Sequence, residues 1–175
     1  TTLYKRNQRG LTEVKRFELL SYPDFSANGK RLLLSDLVGD DGPTVIEYDL
    51  ASYAKSKKIE PTHIRLKKSK FAVYHQLGII YVPADKPGVY LLTRNSDEVI
   101  SEDVSPTTPE GFGLSDTHLY VAGREGKMVN VDLSSGQLTV MPDHLYGVFS
   151  IYQDQLFYIA EALGHTDIVV GNIVR

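Results

Sequence analysis

The chain has 175 residues, 42% of them hydrophobic, a net charge of −3, 11 tyrosines, no tryptophan and no cysteine. That apolar content suffices for a sizeable core, and the absence of cysteine excludes disulfides, thiol catalysis and cysteine-based zinc sites together. The acidic balance argues against a nucleic-acid surface, and no apolar run approaches the roughly 20 residues that span a bilayer as a helix.

From the start, Thr2–Gln8 and Leu11–Phe17 read as a hairpin around Arg9-Gly10, with charges on alternate positions. Since a strand-like run begins at once, a soluble piece of a longer protein is expected. Next, Ser21–Ser26 leads through the turn Ala27-Asn28-Gly29-Lys30 into Arg31–Ser35, and Asn-Gly is the strongest short hairpin signal. A polar loop, Asp36 to Pro43, precedes the strand Thr44–Leu50 (TVIEYDL); Ala51–Lys58 suggests a helical turn, and Thr62–Leu66 supplies a fourth strand. The basic cluster Arg65–Lys70 (RLKKSK) is read as a solvated loop in preference to a phosphate-binding patch.

The pattern repeats. Phe71–His75, Ile79–Val82, Gly88–Arg94 and Glu98–Ile100 form a third unit; Gly111–Leu114, His118–Ala122, Lys127–Leu133 and Gly136–Met141 form a fourth. Tyr146–Ser150, Gln155–Ile159 and Asp167–Ile173 follow, with a loop at Glu161–Thr166 and no fourth strand.

A seven-residue window like TVIEYDL starts at residues 2, 44, 88, 127 and 167, a period near 40 that marks a repeat architecture. Its second and third positions are apolar in all five copies, and its sixth is small and polar: Asn7, Asp49, Thr93, Asp132, Asn172. Alternation sends Ile46, Tyr48 and Leu50 to one face and Glu47 and Asp49 to the other. A polar sixth residue suits a strand leaving a sheet, because its side chain can bond the backbone of the following turn. Leu33, Tyr81, Tyr120 and Phe157 centre matching apolar triplets in the preceding strands.

These features predict an all-β, β-propeller-like array of about four four-stranded antiparallel blades. It is expected as one domain, residues 1–175, with units near 1–17 (partial), 18–68, 69–104, 105–143 and 144–175 (partial). Five copies span four periods, so the array is either a closed small ring with one displaced strand or an arc of a larger one. An open arc would leave apolar faces to cover, and homodimerisation would follow. A β-sandwich has no reason to keep the period.

Tyr22–Ser35 (YPDFSANGKRLLLS) resembles the repeat of TolB-like β-propellers, in which Pro-x-Phe-Ser precedes Pro-Asp-Gly-Lys and a β-rich run. Pro23, Phe25, Ser26, Gly29, Lys30 and Leu32–Leu34 match, while Ala27 and Asn28 replace the family's Pro and Asp. The tail, NVDLSSGQLTVMPD with VFSIYQDQLFYIAE and HTDIVVGNIV, is similar to the end of the TolB-like sensor region of CadC-like, membrane-anchored winged-helix transcription regulators. This resemblance implies a bacterial periplasmic sensing or protein-interaction module, with no direct nucleic-acid contact by this segment. TolB-like repeats also build oligogalacturonate lyases and the propellers of prolyl oligopeptidases, which is the enzymatic alternative.

Catalytic motifs are missing. The five histidines include no His-Glu-x-x-His, and Gly113-Leu114-Ser115-Asp116-Thr117 lacks a nucleophile elbow. Asp36–Gly42 (DLVGDDG) holds three carboxylates but lacks the ligand spacing of an EF-hand, so a solvated loop is expected and no metal or cofactor is assigned. A non-enzymatic binder is therefore expected. In a propeller the first strand of each blade lines the axis, which makes Tyr22, Asp24, Tyr74, His75, Phe112, Tyr146 and Phe149 the candidate binding residues, aromatics mixed with single polar groups.

Overall fold

The repeated window forms the third strand of a sheet four times over. A computed structural model describes residues 2–8, 10–17, 22–36, 42–104, 106, 112–122, 127–144, 149–152, 155–162 and 165–172. Its elements are β1 (Thr2–Asn7), β2 (Gly10–Arg16), β3 (Pro23–Phe25), β4 (Arg31–Asp36), β5 (Thr44–Asp49), α1 (Tyr53–Ser56), β6 (Glu60–Lys67), β7 (Ser69–His75), β8 (Gly78–Pro83), β9 (Val89–Leu92) and β10 (Asp97–Ser101). They continue with β11 (Phe112–Leu114), β12 (His118–Ala122), β13 (Lys127–Asp132), β14 (Leu138–His144), β15 (Phe149–Tyr152), β16 (Gln155–Ala162) and β17 (His165–Asn172).

The sheet orders are β3-β4-β5-β6, β10-β9-β8-β7, β11-β12-β13-β14, β15-β16-β17 and the hairpin β1-β2. Each order follows the chain, which is the antiparallel meander of a propeller blade. The windows supply β5, β9, β13 and β17, and the fifth copy is β1. The chain divides into two compact units, Thr1–Tyr74 and His75–Arg175.

In the first unit, alternation places Leu32 and Leu34 of β4 with Tyr48 and Leu50 on one face. Phe17 and Leu3 from the β1-β2 hairpin pack against them. Phe17 meets Tyr48 edge-on, ring centroids 5.1 Å apart, a geometry that aromatic quadrupoles favour. Lys15 lies 5.2 Å from both ring centroids, and its ammonium donates to the Ile59 carbonyl at 2.8 Å. The hairpin is thus held by an apolar contact and a cation over two aromatic faces.

The Asn-Gly turn forms as its residues require. Gly29 has φ +65°, and Asn28 Oδ1 accepts the Lys30 amide at 2.9 Å. The Arg31 amide donates to Ser26 Oγ at 3.0 Å.

In the second unit Ile80, Val82, Val89, Leu119, Val121, Met128 and Val131 are buried. Tyr120 faces Asn130 and Phe157 faces Val170, just as Leu33 faces Glu47 in the first unit; each partner is the fourth residue of its window. Tyr81 instead faces Tyr90, the third. The β8-β9 pair is thus shifted by one residue relative to the others.

Two expectations are corrected. Arg65–Lys70 is no loop: β6 runs to Lys67, Lys68 turns the corner at φ +55°, and β7 starts at Ser69. The loop between the last two strands is shorter than Glu161–Thr166, since β16 reaches Ala162 and β17 starts at His165. Residues 37–41 of the acidic loop lie outside the described residues.

Candidate functional site

Five of the candidate residues sit on the first strands of their sheets: Asp24 on β3, Tyr74 and His75 at the end of β7, Phe112 on β11 and Phe149 on β15. Tyr22 directly precedes β3 and is half-buried. Phe149 begins β15, opposite Tyr158, and β15 lies beside β11 in the second unit. Phe112 is buried and faces Val121. Tyr146 lies outside the described residues.

Asp24 and Tyr74 are brought together. The Tyr74 amide donates to Asp24 Oδ2 at 2.6 Å, and the Tyr74 hydroxyl donates to Glu47 Oε1 at 2.8 Å. Glu47 is only 6% exposed, yet its other oxygen accepts from Thr62 Oγ1 at 2.7 Å and from Arg31 at 3.4 Å. A carboxylate withdrawn from water persists only when its oxygens are satisfied in this way. Register explains the gathering: Asp24 faces Leu33, and Leu33 faces Glu47, so all three share one face of the sheet.

The network perturbs its own acids. Burial raises the Asp24 carboxyl above its ordinary value, against the opposing bonds from the Tyr74 and Phe25 amides. Burial also pushes the Tyr74 phenol up, helped by its bond to Glu47. A phenol so shifted stays a donor at any physiological pH and is no general base.

Both nitrogens of His75 are engaged. The Leu77 amide donates to Nδ1 at 3.3 Å, so Nε2 carries the proton it donates to the Ser115 carbonyl at 3.0 Å. Gln76 bonds the Asp116 carbonyl at 3.0 Å, so the β7-β8 turn is tied to the β11-β12 turn. His118 lies against Thr117 at 2.7 Å and Asp132 at 3.8 Å. Among the described residues, no group of three His, Asp or Glu is placed to hold a metal ion.

Glu47, Arg31 and Thr62 were not anticipated as site residues. Alternation put Glu47 on the polar face of β5, but Val45 on that face is fully buried. Apolar and acidic residues mixed on one face were the available sign that this face is covered.

The sixth window residue behaves as its chemistry predicts. Asp49 Oδ1 accepts the Ala51 amide at 2.9 Å, and Thr93 Oγ1 accepts the amides of Asn95 and Ser96 at 3.2 and 3.0 Å. Asp132 Oδ1 accepts the amides of Ser134 and Ser135 at 2.9 and 2.8 Å. Each strand end is thereby closed onto its own turn.

No protein-family model matches the chain, and no curated protein matches it. Solved structures do. TolB from Acinetobacter baumannii aligns with a TM-score of 0.65 at 15% identity, over 93% of this chain and 43% of its own. A puromycin hydrolase mutant also aligns at 0.65, with 11% identity over 95% and 29%. An oligogalacturonate lyase from Vibrio parahaemolyticus aligns at 0.54, with 11% identity over 92% and 53%. The chain therefore spans between 29% and 53% of the length of these proteins. At such identities the likeness is one of fold, and together with the meander sheets and their period it makes this chain an all-β array of four-stranded antiparallel β-propeller blades.

Proposed function

We propose that the chain is a non-catalytic binding module, the periplasmic sensor or protein-interaction part of a membrane-anchored transcriptional regulator. The observation that carries this reading is how the candidate polar groups are spent. Asp24 is bonded to the Tyr74 amide, the Tyr74 hydroxyl to Glu47, and both nitrogens of His75 to backbone groups. Groups committed to holding strands together make a rigid scaffold, whereas catalysis needs an acid, base or nucleophile aimed at a substrate. The regulator assignment rests on the resemblance of the tail from Asn130 onward to CadC-like sensor regions. In this reading the blades stay fixed, their loops meet a protein or small-molecule signal, and the signal alters self-association, with a homodimer as the responding state.

The competing reading is a piece of a propeller enzyme, since an oligogalacturonate lyase and a puromycin hydrolase share the fold. The parent open reading frame separates the two. A winged-helix segment and a membrane span upstream of Thr1 supports the sensor, and a hydrolase domain on the same chain overturns it. Incubation of the purified protein with oligogalacturonides and divalent cations is the direct check, and unsaturated product would also overturn it.

A further inference from the structure

Positive charge is densest in one stretch of this acidic chain. Residues 55–70 hold seven of the 19 Lys and Arg but one of the 22 Asp and Glu, so they carry +6 while the remainder carries −9. The structure places this stretch on α1, the turn after it, β6, the corner at Lys68 and the first two residues of β7, so that five of its seven cations lie on α1, its turn and β6. β6 is the last strand of its sheet, and among the described residues no strand is paired to its outer side. Its exposure alternates, and His63, Arg65 and Lys67 are exposed. Arg65 faces Ile46 and Lys67 faces Thr44 across the sheet, and neither forms an ion pair among the described residues.

Cations on an edge strand keep other strands off, because an incoming apolar or basic strand would bury or oppose them. For an acidic strand the same row is an attraction. Alternate side chains of a strand stand about 6.8 Å apart, so carboxylates at every second position of an added strand meet Arg65 and Lys67 in register. The Lys55, Lys57 and Lys58 side chains are exposed beside the start of β6 and extend the field. Pro61 has no amide to offer, and the Ile64 amide is bonded to Thr62 Oγ1 at 3.1 Å, so pairing is confined to the C-terminal half of the strand. Nucleic acid is disfavoured by the −9 of the remainder, which repels a long polyanion.

We propose that the outer edge of β6 is a docking site for an extended acidic segment of a partner protein, added as a further strand whose alternate carboxylates face Arg65 and Lys67. Main-chain pairing supplies the affinity and the cations the selectivity. The site is on the edge of a sheet, apart from the first-strand residues considered above, and holds whether or not the chain is a sensor.

The test uses a fluorescent peptide of alternating Glu and Val, its Lys-Val counterpart, and a single-stranded oligonucleotide of matched charge. Anisotropy is read at low and moderate salt, on the parent chain and on Arg65→Glu/Lys67→Glu, whose folding is checked by circular dichroism. The Glu-Val peptide is expected to bind, to weaken with salt and to lose at least about tenfold in affinity in the variant. Amide exchange is expected to slow in β6 on binding, which a diffuse charge contact would not produce. Absence of peptide binding at low salt, an unchanged affinity in the variant, or oligonucleotide binding as tight as the peptide's without slowed exchange in β6 would overturn the proposal. None of these outcomes depends on the upstream gene or the enzymatic assay.

Discussion

The hydroxyl of Tyr74 donates to the carboxylate of Glu47 at 2.8 Å across 27 residues of sequence. The bond ties the end of β7 to the middle of β5. Glu47→Ala is expected to cost about 2–4 kcal/mol, because the Tyr74 and Thr62 hydroxyls lose their acceptor and Arg31 its counter-charge in a covered site. Tyr74→Phe, which leaves Glu47 two other donors, should cost about 1 kcal/mol. Urea unfolding measures both. Additivity of Tyr74→Phe and Thr62→Val in a double-mutant cycle would show that the two donors act separately.

Asp24 and Asp132 bend the pH dependence in opposite directions. The Asp24 carboxyl is raised above 3.8 by burial, so its contribution is fully present below that pH and is lost as pH rises through the higher folded value. At neutral pH its charge counts against the fold. Asp24→Asn keeps an acceptor for the Tyr74 amide and removes the charge. Its stability at neutral pH should equal or exceed the parent's, and the advantage should vanish in acid, as followed by unfolding across the pH range.

Asp132 is the reverse case. The Ser134 hydroxyl, then the amide and hydroxyl of Ser135, hold its carboxyl far below its ordinary 3.8. Its contribution is present above that value and is lost as pH falls toward the lower folded one. Asp132→Ala should speed amide exchange at Ser134 and Ser135 at neutral pH, and the difference from the parent should shrink in strong acid. Unchanged exchange would mean that the turn holds without the carboxylate.

Two glycines separate conformational strain from steric collision. Gly29 has φ +65° with open space where a Cβ would sit, whereas at Gly78, φ +155°, a Cβ would collide with the Leu92 carbonyl. Gly29→Ala is expected to cost about 1–2 kcal/mol from backbone strain alone. Gly78→Ala should cost more, since β8 and β9 must move apart as well, and thermal unfolding ranks the two.

The blade pattern was legible because it is local. A strand, its turn and the next strand lie within a dozen residues, so alternation and Asn28-Gly29 reveal them, and Asp49, Thr93 and Asp132 even disclosed the bonds they make. The Glu47 network was not legible, because the residue that covers β5 is Tyr74, and nothing near Glu47 in sequence announces it. For the same reason the clamp between His75 and Ser115 escaped notice. Arg65–Lys70 was misread because its charges suggested a loop. The alternation of Ile64 and Leu66 with His63, Arg65 and Lys67 was present, and it marks a strand with one side facing water. Among the described candidate residues, Asp24 and Tyr74 are joined by a direct hydrogen bond, and that bond serves the scaffold.

The self-contained closure of three turns by the sixth residue of their windows bears on how such a chain diverges. Because Asp49, Thr93 and Asp132 satisfy backbone within their own hairpins, no neighbouring repeat must change when one of them does. Change at these closures is therefore independent from copy to copy, unlike change at Glu47, Tyr74 or His75, whose bonds join one repeat to another. What all five copies still share at these exits is the kind of side chain, small and polar, and not its identity, because any such group can close its own turn.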